Sequence, residues 1–86
     1  MKADKSSVTR KLKIVKGQID GLLKMVEDDR YCIDISNQLL ASQSLLRSIN
    51  REIIEAHLRS CVREALDSDD KNSKLEEIIS LIDKMT

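Results

Sequence analysis

The stretch YCIDISNQLLASQSLLRSINREIIEAHLRSCVR, residues 31–63, decides the fold, because it holds neither glycine nor proline and keeps one hydrophobic period throughout. Ile35, Leu39, Ser42, Leu46, Ile49, Ile53, Ala56 and Ser60 recur at alternating four- and three-residue steps. That rhythm predicts a single long helix with a coiled-coil-like packing seam. A second apolar group, Leu40, Leu45, Ile54 and Leu58, widens the surface enough to receive another helix on a neighbouring side.

Upstream, Val8, Leu12, Val15, Ile19, Leu22 and Val26 trace one stripe of a first helix, with Ser6 or Ser7 as its N-cap. Gly17 and Gly21 lie one turn apart inside it. Each costs about 1 kcal/mol relative to Ala, so a close approach to another backbone is their expected use. The cluster EDDR at 27–30 breaks the pattern, and Asp28 or Asp29 is placed to cap the long helix. Downstream, DSDDKNS at 67–73 reads as a turn, and Ser73 with Glu76 has the form of a capping box. A third helix is then predicted from Lys74 to Lys84, with Leu75, Ile78, Ile79, Ile82 and Met85 as its stripe; it is too short to stand alone and must dock. The expectation is an all-α fold of three helices, short-long-short, forming one domain over 1–86.

Composition agrees. The chain of 86 residues has no Pro, Phe or Trp, two Gly and 35% charged residues, the usage of long helices. A chain this short buries about 60% of its unfolded surface, so association is expected. No apolar run approaches the roughly 20 residues that cross a bilayer, and MKADKSSVTRKLK lacks the apolar segment of a secretory signal. A cytoplasmic protein is expected, and no membrane partner. Net charge is zero, yet residues 1–24 carry seven Lys/Arg against two Asp/Glu, while residues 62–86 carry four against seven. The basic end, where Arg10, Lys11, Lys13 and Lys16 lie mostly off the apolar stripe, is compatible with nucleic acid; the plainer alternative is a solvated helix face.

His57 is the one histidine, and Cys32 and Cys61 are the two cysteines. In a reducing compartment such cysteines serve as thiolate ligands or redox sensors more readily than as a disulfide, or else as small helical hydrophobes. His57 and Cys61, four residues apart, face the same way on a helix and stand within chelating distance of a common ion. Cys32 is 29 residues from Cys61, about 43 Å along one helix, so one chain cannot close the site. A second copy of the helix running antiparallel, with its two-fold axis near Leu45 and Leu46, would bring Cys32 of one protomer to His57 and Cys61 of the other. Two thiolates and an imidazole are a soft, low-coordinate set that suits Cu(I) and leaves Zn(II) one ligand short. A purely redox role is the competing reading, and a histidine one turn from Cys61 argues against it.

RKLKIVKGQIDGLLKMVEDDRYCIDI (10–35), QLLASQSLL (38–46) and HLRSC (57–61) together make the chain resemble the copper-sensing operon repressors of the CsoR/RcnR superfamily over nearly its whole length. The resemblance implies that Cys32, His57 and Cys61 are Cu(I) ligands bridging two protomers. It also implies that Tyr31 and Glu77 support the site from behind, Glu77 by a hydrogen bond to the free ring nitrogen of the ligating histidine. It further implies a homotetramer, a dimer of antiparallel helical dimers, that grips operator DNA through Arg10, Lys11, Lys13, Lys16, Arg47 and Arg51. Within the superfamily, nickel and cobalt sensors use extra histidines, formaldehyde-responsive relatives lack a cysteine at position 61, and persulfide sensors replace the histidine. On this chain, therefore, the choice between copper and sulfur sensing rests on His57.

The function expected is a repressor whose apo form binds operator DNA and whose Cu(I) form releases it, derepressing copper efflux and homeostasis genes. The alternatives are a persulfide- or thiol-sensing repressor of the same superfamily and a copper buffer with no DNA role. A thiol enzyme is disfavoured, because no third orienting group and no substrate motif accompany the cysteines and histidine.

Overall fold

The structure, a computed structural model, describes residues 1–67 and 71–85, with Met85 described in its backbone alone. Three helices follow one another: α1 over Lys5–Glu27, α2 over Cys32–Asp67 and α3 over Lys71–Met85. The all-α, short-long-short architecture is the one the periodicity predicts. The chain divides into two compact units, Ser6–Ile49 and Met1–Lys5 with Asn50–Thr86.

The first unit holds α1 and the opening half of α2. On α1, Val8, Val15 and Leu22 are buried, whereas Leu12, Ile19 and Val26 remain 46%, 48% and 58% exposed. The expected stripe is thus half buried. The covered side runs through Val8, Lys11, Val15, Gln18, Leu22 and Met25, a sequence of three- and four-residue steps that tilts away from Leu12 and Ile19. On α2 the matching positions are Ile35, Gln38, Ser42, Leu45 and Ile49, buried or half-buried. Polar residues in this seam satisfy one another, since the Ser42 hydroxyl donates to Gln18 Oε1 at 2.8 Å; a buried hydroxyl without a partner would cost about 1–3 kcal/mol. Gly17 and Gly21 meet nothing within 4 Å of where a Cβ would stand. The close backbone approach expected of them is absent within this unit, and they line an open groove with Ile14, Gln18, Met25 and Gln38.

The turn between α1 and α2 differs from the expected capping by aspartate. Arg30 N donates to Met25 O at 3.0 Å, Asp29 N to Val26 O at 3.1 Å, and Asp29 takes a φ of 50°. These are the 6→1 and 5→2 bonds of a Schellman motif with Asp29 in the left-handed position. Asp29 therefore ends α1 instead of starting α2. Tyr31 is the residue whose carbonyl opens α2, accepting from Asp34 N at 3.0 Å and Ile35 N at 3.2 Å. At the other end of α1, Ser6 and Ser7 lie inside the first turn, and Asp4 holds the position before it, a favoured place for a short acid.

The second unit pairs the closing half of α2 with α3. The buried side of α2 here passes through Ile54, Leu58, Cys61 and Ala65, a different register from the one that serves α1. The helix extends past Arg63 to Asp67, and α3 begins at Lys71. Ser73 is consequently inside α3, where it cannot cap, because a cap must stand outside the helical turn it serves. Of the expected turn at 67–73, residues 68–70 lie outside the described residues. The covered edge of α3 is Lys74, Glu77, Ile78 and Leu81, while Leu75, Ile79 and Ile82 are 55%, 53% and 49% exposed. So α3 docks through a partly polar edge, and that edge carries Glu77.

The left-handed Asp29 yields a stability test. A non-glycine residue there costs about 1–2 kcal/mol, so Asp29→Gly should raise the stability of the metal-free protein by about 1 kcal/mol and Tm by about 4–8 °C. Thermal unfolding followed by circular dichroism measures it; an unchanged or lower Tm contradicts the assignment.

Candidate metal centre

His57 and Cys61 project from the same side of α2, one turn apart, and Glu77 reaches them from α3. Glu77 Oε1 lies 3.1 Å from His57 Nε2. One donor atom from each of His57, Cys61 and Glu77 falls within 4.8 Å of the other two. The cluster arises because the α2 register changes: Cys61 sits in the stripe that α3 covers and is 3% exposed, while His57 stands at the rim, with its side chain 44% exposed.

Electrostatics ties the three together. Burial pushes the Cys61 thiol above its ordinary value, reinforced by its hydrogen bond to the Glu77 carboxylate and by the charges of Glu77 and Glu64, with Lys74 opposing. A thiolate in that place loses hydration and faces negative charge, so the protonated form is favoured. Glu77 is held below the usual carboxylate range, first by the hydrogen bond to His57 and then by that to Cys61. Lys74 Nζ donates to Glu64 Oε2 at 2.8 Å and stands 3.9 Å from Glu77 Oε2. Their mutual bond raises Lys74 and lowers Glu64. This Lys74–Glu64 pair escaped the sequence reading. The i,i+3 spacing of Lys74 and Glu77 was legible, but Glu64 joins through the packing of α3, which no local spacing encodes.

The other expected site residues lie elsewhere. Cys32 is the first residue of α2 and is exposed. Tyr31, 66% exposed, precedes it. Both belong to the first unit, whereas His57, Cys61 and Glu77 belong to the second. Arg10, Lys13, Lys16 and Arg47 are exposed in the first unit, Lys11 is half-buried in its seam, and Arg51 is exposed in the second.

The model of the metal-sensitive transcriptional repressor family matches residues 4–84. The chain belongs to that family. This repressor is 35% identical over 83 residues to the copper-sensing transcriptional repressor CsoR of Bacillus subtilis (strain 168), covering 96% of the chain and 82% of the relative. The solved structure of the copper-sensing repressor CsoR with Cu(I) from Geobacillus thermodenitrificans NG80-2 superposes with a TM-score of 0.79 at 37% identity, over 92% of this chain and 82% of that one. The nickel-responsive transcriptional regulator InrS shares the fold, with a TM-score of 0.89 at 22% identity over 100% of this chain and 97% of its own. Among the described residues, no helix of the repressor is long and apolar enough to cross a membrane.

Two linked pH effects follow for the metal-free, reduced repressor. Glu77 is lowered in the fold, so its contribution is present above the ordinary 4.5 and is lost as pH falls through the folded value. Cys61 is raised, so its contribution is present below the ordinary 9.0 and is lost as pH rises through the folded value. Thermal melts across pH should show the alkaline fall shrink in Cys61→Val, with the part due to the raised Lys74 remaining, and the acid fall shrink in Glu77→Gln. Parallel curves for wild type and both variants would contradict the cluster.

Proposed function

We propose that this protein is a cytoplasmic, non-enzymatic Cu(I)-responsive repressor, with a copper site shared between two protomers: Cys32 of one, and His57 with Cys61 of its partner subunit. The observation that carries the reading is the half-site on α2. His57 uses Nε2 toward Glu77 at 3.1 Å, which leaves Nδ1 for a metal, and Cys61 lies one turn away. Two thiolates and an imidazole fit a soft monovalent ion.

The surface of α2 supports the same partner. The positions 32, 39, 46, 57 and 61 return to one side of a regular helix, within about 60° at about 100° per residue. Leu39 and Leu46 are left 49% and 45% exposed, so an antiparallel copy seated there would cover them and set Cys32 opposite His57 and Cys61. The apolar residues α1 leaves exposed, Leu12, Ile19, Leu23 and Val26, are surface for the further association of dimers into a tetramer.

Each residue has a part. Cys61 yields its thiol proton on binding, so affinity rises with pH. Glu77 accepts from the Nε2 proton, fixing the ring and its tautomer and making the ligating nitrogen more basic. Tyr31 flanks the first thiolate. Arg10, Lys11, Lys13, Lys16, Arg47 and Arg51 supply contacts to operator phosphates, a largely sequence-independent and salt-sensitive attraction. Metal at His57 alters what its other nitrogen holds through Glu77, and hence the docking of α3; the apo form binds the operator and the loaded form releases it. A coupling of about 1–3 kcal/mol corresponds to a 5- to 150-fold change in DNA affinity. Copper-sensing names among its relatives favour this over a buffer with no DNA role. Persulfide sensing is disfavoured by His57, an imidazole one turn from Cys61 that a cysteine-only chemistry does not require.

Operator binding measured with and without Cu(I) under reducing conditions tests the proposal. Affinity should fall on Cu(I) addition in the wild type, and His57→Ala should abolish the response while keeping apo binding. X-ray absorption should find two sulfurs and one nitrogen about the metal. Unchanged operator affinity, or purely sulfur ligation, sinks the reading.

A further inference from the structure

We infer that His57, Cys61 and Glu77 of a single chain form a second, mutually exclusive metal-binding mode, suited to a borderline divalent cation of the zinc class and requiring no residue of a second protomer. The cluster is complete within one unit of one chain: each residue offers a donor atom within 4.8 Å of the other two. It differs from the copper set by exchanging a thiolate for a carboxylate and by dispensing with Cys32.

The geometry is close to what such an ion demands. A tetrahedral centre with metal–nitrogen and metal–oxygen bonds of about 2.0 Å sets those two ligand atoms about 3.3 Å apart, and a nitrogen and a sulfur about 3.5 Å apart. His57 Nε2 and Glu77 Oε1 stand 3.1 Å apart, already the length of one edge. Cys61 Sγ lies inside the 4.8 Å limit and draws in to about 3.5 Å from the nitrogen when the ion binds. Water takes the fourth position, as at zinc sites with three protein ligands.

Charge and donor type point the same way. A thiolate and a carboxylate neutralise a divalent ion, which matters beside the 3% exposed Cys61, where uncompensated charge is costly. Cu(I) is not matched to this set, because a carboxylate is a hard donor that a soft ion does not favour. Lys74, the cation nearest Glu77 at 3.9 Å, is held 2.8 Å from Glu64, so Glu77 can turn to a metal without breaking that shorter pair.

The two modes use opposite nitrogens of one imidazole. Cu(I) takes Nδ1, and Glu77 keeps Nε2. A divalent ion takes Nε2 together with Glu77 and displaces the Cys61 proton to solvent. Because the divalent mode leaves Cys32 unengaged, it binds metal without linking two chains. The repressor thereby distinguishes metals by which ones bridge its protomers.

Anaerobic titration of the full chain with cobalt(II), a spectroscopic stand-in for zinc, tests the mode, with zinc competition confirming a shared site. Wild type and Cys32→Ser, a change at an exposed helix end, should show a thiolate-to-cobalt charge-transfer band of the same intensity and affinities within twofold. Glu77→Gln should weaken cobalt binding at least tenfold more than it weakens Cu(I) binding. A cobalt band diminished in Cys32→Ser, or equal losses for the two metals in Glu77→Gln, overturns the inference. Cu(I) binding in Cys32→Ser separates the two proposals: its collapse supports the shared copper site, and its survival contradicts that site while leaving the divalent mode standing.

Discussion

Everything in this protein turns on the unbroken run of α2 from Cys32 to Asp67. A helix is stiff, and its rise of about 1.5 Å per residue converts a separation in sequence into a separation in space. Cys32 begins the helix, while His57 and Cys61 stand near its end. The proposed copper site therefore takes Cys32 from one chain and His57 with Cys61 from its partner subunit. On that reading one chain by itself holds a half-site, His57 with Cys61, and an ion that takes all three proposed ligands needs two chains. Metal recognition is then coupled to the interface between protomers, which gives a small ligand a route to the DNA-binding surface.

Alpha2 also divides its labour along its length. Its opening half turns Ile35, Ser42 and Ile49 toward α1, and its closing half turns Ile54, Cys61 and Ala65 toward α3. That shift puts a cysteine in a buried stripe and a histidine at its rim. Burial and the Glu77 carboxylate push the Cys61 thiol above its ordinary value, so its protonated form is favoured. Glu77 is hydrogen-bonded to His57 and Cys61 alike.

Much of this was legible in the sequence, and the misses share a cause. The three helices followed from the 3-4 spacing and from the absence of glycine and proline between Tyr31 and Arg63. His57 and Cys61 followed from their i,i+4 spacing. Glu77 came from the family resemblance, since its approach depends on how α3 docks. The α1 stripe follows from periodicity, which identifies an apolar face without saying how much of it one chain covers; Leu12, Ile19 and Val26 are the uncovered remainder. The aspartates at 28 and 29 were read as caps for α2, whereas Asp29 adopts the left-handed conformation that closes α1. Asp serves either purpose, and the backbone angle alone distinguishes them. The close approach expected of Gly17 and Gly21 is absent among the described residues of their unit.

The central claim is that the copper ligands come from two chains. Refolding Cys32→Ser chains together with chains carrying both His57→Ala and Cys61→Ser provides the direct measurement. Neither variant alone has a complete site, yet a mixed antiparallel dimer has one, with Cys32 from the doubly substituted chain and His57 and Cys61 from the other. Tight Cu(I) binding recovered in the mixture, and absent from each variant alone, is the predicted result. A mixture that binds Cu(I) no better than its components would contradict the account.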